Sequence, residues 1–133
     1  MPNILIVEDD PADMRRATAA LAELGLGKTV SATSVAEAFR YLDGVREGKH
    51  EAPALIVLDL SLGYESGFEI LRRWKSDHNL SRIQIVVWTQ MGEREQELCR
   101  LFGLKHVISK FSDVSELQDA VKNSSGPVSR PAK

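Results

Sequence analysis

An α/β fold, with a parallel sheet enclosed between two layers of helices, is what this sequence predicts, on three observations. Five short aliphatic runs alternate with five amphipathic stretches along the chain. The connections between them are mostly a few residues long. The run Ala54–Leu58 (ALIVL) has no polar side chain, as suits a strand buried on both faces.

The elements follow in order. Asn3–Val7 (NILIV) reads as the first strand. In DPADMRRATAALAELG, Met14, Ala17, Leu21 and Leu24 share one helical face. Asp10 suits the cap of this helix, Pro11 its first position and Gly25 its end. Thr29–Ala32 is a second, short strand. Ser34 and Glu37 have the spacing of a capping box, before a helix with Phe39 and Leu42 on its apolar face. After the ALIVL strand, Ser66 and Glu69 repeat that spacing, and Phe68, Leu71 and Trp74 face inward. Ile83–Trp88 is a strand by its β-branched content. The helix in GEREQELCRLFG places Leu98, Leu101 and Phe102 on its apolar side. His106–Ile108 is the last strand, and DVSELQDAVKN, capped by Asp113 with Glu116 three residues on, is the last helix.

Composition narrows the function. The chain has 133 residues, 43% hydrophobic and 27% charged, the make-up of one globular domain. The domain is expected over 1–123, followed by a disordered Ser- and Pro-rich tail over 124–133. A net charge of −2 argues against nucleic acid as the main partner. No apolar run approaches membrane-spanning length and no signal peptide is visible, so a cytoplasmic location with no membrane partner is expected. The one cysteine, Cys99, excludes an internal disulfide and reads as a buried structural thiol. The stretch LGLGKT lacks the glycine–lysine spacing of a phosphate loop and precedes a strand.

In an open parallel sheet, function collects at the carboxyl ends of the strands. Those ends carry Glu8, Asp9 and Asp10 after the first strand, Asp59 after the third, Thr89 after the fourth and Lys110 after the fifth. Asp10 is explained as a helix cap. Asp59 is not, because the helix after it already has Ser66. Clustered carboxylates raise one another's pKa unless a cation intervenes. Magnesium, a hard ion that takes one or two carboxylates and engages phosphate, is the natural relief. A carboxylate beside such an ion can attack phosphorus and form an acyl phosphate. An ammonium and a hydroxyl can then neutralise and bind the transferred oxygens. His50, His78 and His106 are dispersed and share no metal-ligand spacing.

With these residues in hand, the chain resembles the receiver domain of two-component response regulators over about residues 3–122. ILIVEDDP resembles the first strand and acidic pair, with Glu8 and Asp9 as the pair; VLDLSLGYESG resembles the phosphoacceptor segment; IVVWT and HVISK resemble the segments with the switch hydroxyl and the lysine. The resemblance implies a flavodoxin-like doubly wound (βα)5 sandwich with strand order 2-1-3-4-5. It implies Asp59 as phosphoacceptor, Thr89 as switch hydroxyl and Lys110 as phosphoryl contact. Mg2+ would be held by Glu8 (mostly through water), Asp9, Asp59 and the backbone carbonyl of Ser61, and Gly67 would open the next helix. A histidine kinase or histidine phosphotransfer protein would be the donor, and phosphorylation would change affinity for a downstream protein. The only reactions catalysed would be the domain's own phosphorylation and dephosphorylation.

The resemblance is to stand-alone bacterial regulators, and the RYLDGVREGKHEAPALIVLDL segment resembles the phytochrome-associated group most. The face of the fourth helix, fifth strand and fifth helix, here with Leu98, Leu101, Phe102, His106 and Phe111, is where such domains dimerise or meet partners. Four positions depart from the family pattern. Phe111 stands for the proline after the lysine, which predicts a trans bond and a repositioned Lys110 loop. Val107 stands for the usual aromatic, Gln90 for a small residue and Gly63 for a proline. The departures at Val107, Gln90 and Phe111 motivate an alternative, an interaction module whose output phosphorylation does not switch. Enzymes on the same layered fold fit less well. A flavodoxin-type carrier wants a phosphate loop where this chain has acids. A haloacid dehalogenase-type phosphatase wants a second acid where Pro11 stands.

Overall fold

The computed structural model describes residues 3–62, 65–90 and 92–125. Five parallel strands form the sheet: β1 (Ile4–Val7), β2 (Thr29–Ala32), β3 (Leu55–Leu58), β6 (Gln84–Thr89) and β7 (His106–Ser109). Two residue pairs, β4 (Ser61–Leu62) and β5 (Glu65–Ser66), make a small separate antiparallel ladder. The sheet order is β2-β1-β3-β6-β7, the predicted 2-1-3-4-5 once that ladder is set aside. The helices are α1 (Pro11–Leu24), α2 (Val35–Arg46), α3 (Phe68–Ser76), α4 (Glu93–Leu101) and α5 (Val114–Ser125).

The period-2 pleat sorts the strand residues into two cores. Leu5, Val7, Ile56, Leu58, Ile85 and Val87 pack under α2, α3 and α4, with Leu42, Ile70, Leu71 and Cys99. Ile4, Ile6, Leu55, Val57, Val86 and Trp88 pack under α1 and α5, with Ala17, Leu21, Leu117 and Val121. Continuing that alternation by one step sends Glu8 and Asp59 toward α1 and α5. Thr89 extends the other face.

Local signals explain most element ends. Asp13 N–H donates to the Asp10 carboxylate at 2.9 Å, Pro11 fills the first turn, and Gly25 ends α1 at φ 63°. Ser34 caps α2 through Glu37 N–H at 3.1 Å, while the Glu37 carboxylate reaches one residue further back than a capping box requires, to Thr33 N–H at 2.7 Å.

Three expectations are corrected. Ser66 accepts from Phe68 N–H at 3.1 Å, and the α3 cap position falls on Gly67, because Ser66 is held in the short ladder with Ser61. Leu98 and Leu101 are 45% and 73% exposed; α4 turns Cys99 into the core instead, with Phe102 packed at the core edge. Helix α5 runs through Ser125 with Ser124 buried, two residues into the stretch assigned to the tail. The rest of that stretch, 126–133, and Gly63 lie outside the described residues.

Candidate functional site

The strand order reverses around β1, so the carboxyl ends of β1 and β3 lie side by side at the switch point of the sheet. Sheet hydrogen bonding continues one residue past the strands. Glu8 N–H donates to the Ala32 carbonyl at 3.0 Å, Asp59 N–H to the Val7 carbonyl at 3.0 Å, and Lys110 N–H to the Thr89 carbonyl at 2.9 Å. The backbones of three charged residues are thereby fixed while their side chains meet above the core.

Asp59 is the hub. Its Oδ1 accepts from the Thr89 hydroxyl at 3.0 Å and from Ser61 N–H at 3.0 Å; its Oδ2 accepts from Lys110 Nζ at 3.0 Å. The same ammonium lies 2.6 Å from Glu8 Oε1 and 2.8 Å from Asp13 Oδ2. Glu8, Asp59, Thr89 and Lys110 are buried, and Asp9 is exposed at the rim. Glu8, Asp9, Asp59 and Lys110, together with Asp13, Ser61 and Gln90, line a groove of about 410 Å³ open to solvent.

Burial is the main force on Glu8. It pushes the carboxyl from 4.5 up to about 7, against the hydrogen bond from Lys110; the Asp59 charge adds to the rise. Burial would lower the Lys110 pKa, but hydrogen bonds to Asp13, Glu8 and Asp59 outweigh it and hold the ammonium above its ordinary value. Burial likewise works against the Asp13 carboxylate, yet the hydrogen bond and charge of Lys110 hold it below its usual range. One cation therefore serves several acids. Glu8, Asp9 and Asp59 each present an oxygen, all within 4.8 Å of one another. Three hard oxygen donors and a surplus of negative charge fit a divalent magnesium ion.

Gly67 supplies a steric condition. A Cβ there would run into the Asp59 carbonyl oxygen and lie 2.9 Å from the Leu60 Cα, so only glycine lets α3 start this close to the strand end. Its N–H closes the turn on the Leu60 carbonyl at 2.9 Å.

The structure brings together Glu8, Asp9, Asp59, Thr89 and Lys110, as expected from the sequence, and sets Ser61 beside them. No cis peptide occurs among the described residues, so the Lys110–Phe111 bond is trans. Phe111 N–H donates to Ser109 Oγ at 3.0 Å, a bond proline could not make, and Lys110 still reaches the site. Val107 is part-buried in the core under α2, α3 and α4, and Gln90 faces the groove. His50 is elsewhere, stacked on Tyr41 with ring centroids 4.6 Å apart. Asp13 is the site residue that sequence reading missed. It looks like an ordinary first-turn acid of α1, and the residue it meets is 97 positions away.

Comparison with known proteins agrees with this geometry. The family model of the response regulator receiver domain matches residues 4–122. Response regulator Rre1 of Synechocystis is 26% identical over 122 residues, 91% of this chain, which spans about half (50%) of that protein's length. The structure of the bacteriophytochrome response regulator AtBRR superposes with a TM-score of 0.81 at 27% identity, covering 100% of this chain and 99% of that one. The phosphorylated cyanobacterial phytochrome response regulator RcpA gives a TM-score of 0.82 at 28% identity, covering 98% and 99%.

Proposed function

Because this chain belongs to the response regulator receiver domains, the phosphoacceptor modules of two-component phosphorelays, we propose that Asp59 accepts a phosphoryl group from a histidine of a kinase or phosphotransfer protein. The observation that carries this reading is the Asp59 carboxylate, held at the end of a central strand by Thr89, Ser61 and Lys110 beside two further acids. The receiver domain is taken to run through the end of α5, with a C-terminal tail beyond, and the working compartment is taken as the cytoplasm.

In the proposed reaction an Asp59 oxygen forms the new bond to phosphorus. The bond from phosphorus to the donor's imidazole nitrogen breaks, and that nitrogen keeps the electron pair. Glu8, Asp9, Asp59 and the Ser61 carbonyl would hold Mg2+, which when bound supplies positive charge to the phosphoryl oxygens. Lys110 already bonds one Asp59 oxygen and is placed to take a phosphoryl oxygen in its stead. Thr89 is placed to turn its hydroxyl from Asp59 Oδ1 to the same group, which biases the domain toward an active conformation. Water later hydrolyses the acyl phosphate and resets the switch. Output is by protein contact, and the α4–β7–α5 face, where Leu98 and Leu101 are exposed, is the surface proposed for a downstream partner or a homodimer.

A second reading has its own observation. Val107 fills the position of the usual aromatic and Gln90 lines the groove where a small residue is usual, so the module could bind its partner whether or not Asp59 is modified. Incubation with phosphoramidate and Mg2+ is expected to add the mass of one phosphoryl group to the wild type and none to Asp59→Asn. No gain in the wild type would overturn the phosphoacceptor reading. A gain that leaves partner binding unchanged would favour the second.

A further inference from the structure

We infer that Asp13 is a positioning residue for this phosphoryl transfer: its carboxylate keeps the Lys110 ammonium at the site while the ammonium's other partners are engaged elsewhere. The inference rests on the receiver reading above.

An ammonium has three N–H donors. Here it has three carboxylate neighbours, Glu8 at 2.6 Å, Asp13 at 2.8 Å and Asp59 at 3.0 Å. Two of those three have other duties in the reaction. Asp59 gives an oxygen to phosphorus and loses its own negative charge. Glu8 belongs to the cluster of oxygens suited to the divalent ion, with Asp9 and Asp59. Asp13 stands outside that cluster, and its charge is unspent throughout.

Asp13 is also held independently of the lysine. Its backbone N–H is fixed on the Asp10 carboxylate in the first turn of α1. Its Oδ1 accepts from Arg16 Nη1 at 3.3 Å, which leaves Oδ2 for Lys110. Both cations lie over the Trp88 ring, Arg16 at 5.0 Å and Lys110 at 5.2 Å from its centroid. Asp13 thus bridges two cations over one indole, with its side chain 13% exposed. A first-turn acid that only complemented the helix dipole would need none of these contacts. Without Asp13, the ammonium would swing toward Glu8 or solvent when Asp59 is modified, and the phosphoryl oxygens would lose a placed donor.

The test compares full-length wild type with Asp13→Asn, Asp13→Glu, Lys110→Met and the Asp13→Asn/Lys110→Met pair. Phosphorylation by phosphoramidate is followed by intact mass, with Mg2+ titrated. The expected result is a fall of about tenfold in the phosphorylation rate constant for Asp13→Asn, with partial recovery in Asp13→Glu. The Mg2+ half-saturation should move by no more than about twofold, because Asp13 is not a ligand, and Asp13→Asn should add no more than about twofold to the loss in the Lys110→Met background. A merely structural Asp13 would instead give equal losses with and without the lysine. That outcome, an unchanged or faster Asp13→Asn, or a large rise in Mg2+ half-saturation would each overturn the inference. A phosphorylated wild type that is indifferent to Asp13 sinks this role alone; an unphosphorylated wild type sinks the receiver reading, and this role with it.

Discussion

Glu8 makes the metal-free domain less stable as the pH rises, and the size of the effect follows from its burial. Its carboxyl is 4.5 in the unfolded chain and about 7 in the fold, burial being the first cause. Between those values the unfolded chain has released a proton that the folded one retains. The contribution of Glu8 is therefore complete below pH 4.5 and is lost as the pH passes through about 7. The separation corresponds to about 3 kcal/mol at about 1.4 kcal/mol per unit, or about 10 °C in Tm for a domain of this size. The perturbation is Glu8→Gln, which keeps the shape and removes the titration. Thermal melts in chelator from pH 5 to 8 should show the wild type losing stability relative to Glu8→Gln as pH rises. Saturating Mg2+ should restore the wild type far more at pH 8 than at pH 5, where protons compete for the same oxygen. A wild-type-minus-variant difference that is flat over this range, or that rises with pH, would contradict a Glu8 carboxyl raised by burial.

Gly67→Ala should cost about 2–4 kcal/mol in urea melts, since the new methyl meets the Asp59 carbonyl and the strand end has nowhere to retreat; a loss under about 0.5 kcal/mol would contradict the packing. Thr89→Val removes the hydroxyl on Asp59 Oδ1 and should cost about 1 kcal/mol while leaving phosphorylation measurable by mass; partner binding should then cease to respond to phosphorylation. Phe111→Ala should change stability by no more than about 0.5 kcal/mol, because the ring is 81% exposed; a larger loss would show that it packs. Burial pushes the Cys99 thiol up to about 11, so native protein should resist a thiol reagent at pH 8 and react fully in denaturant.

The parts of the fold visible in the sequence are those with strong local chemistry. Asp10, Pro11 and Gly25 bound α1 because each acts within one turn of itself. The Ile4–Val7 and Leu55–Leu58 runs are legible because strands covered on both faces tolerate no polar side chain. Helix α4 misled because Leu98, Leu101 and Phe102 suggest an apolar stripe, whereas the rotation set by packing on β7 buries Cys99. Ser66 misled because its hydroxyl spacing is local but its partner in the ladder, Ser61, is not. At the site, Glu8, Asp9, Asp59, Thr89 and Lys110 stood out because each is polar at the end of an apolar run. Asp13 lies within a helix that explains it adequately, so only the register of α1 against the sheet reveals its contact with Lys110. The need for glycine at position 67 is hidden for the same reason, since the obstacle is backbone from the preceding strand end.

The phosphoryl group is proposed to reside on Asp59. Borohydride reduces an acyl phosphate to the alcohol, so reduction after incubation with phosphoramidate and Mg2+, followed by peptide mass mapping, converts the modified residue into a permanent mark. Homoserine is expected at position 59, with unaltered side chains at Glu8, Asp9 and Asp13. Homoserine absent from position 59 in protein that has gained a phosphoryl group, or a reduced side chain at one of the other three acids, would contradict Asp59 as the acceptor.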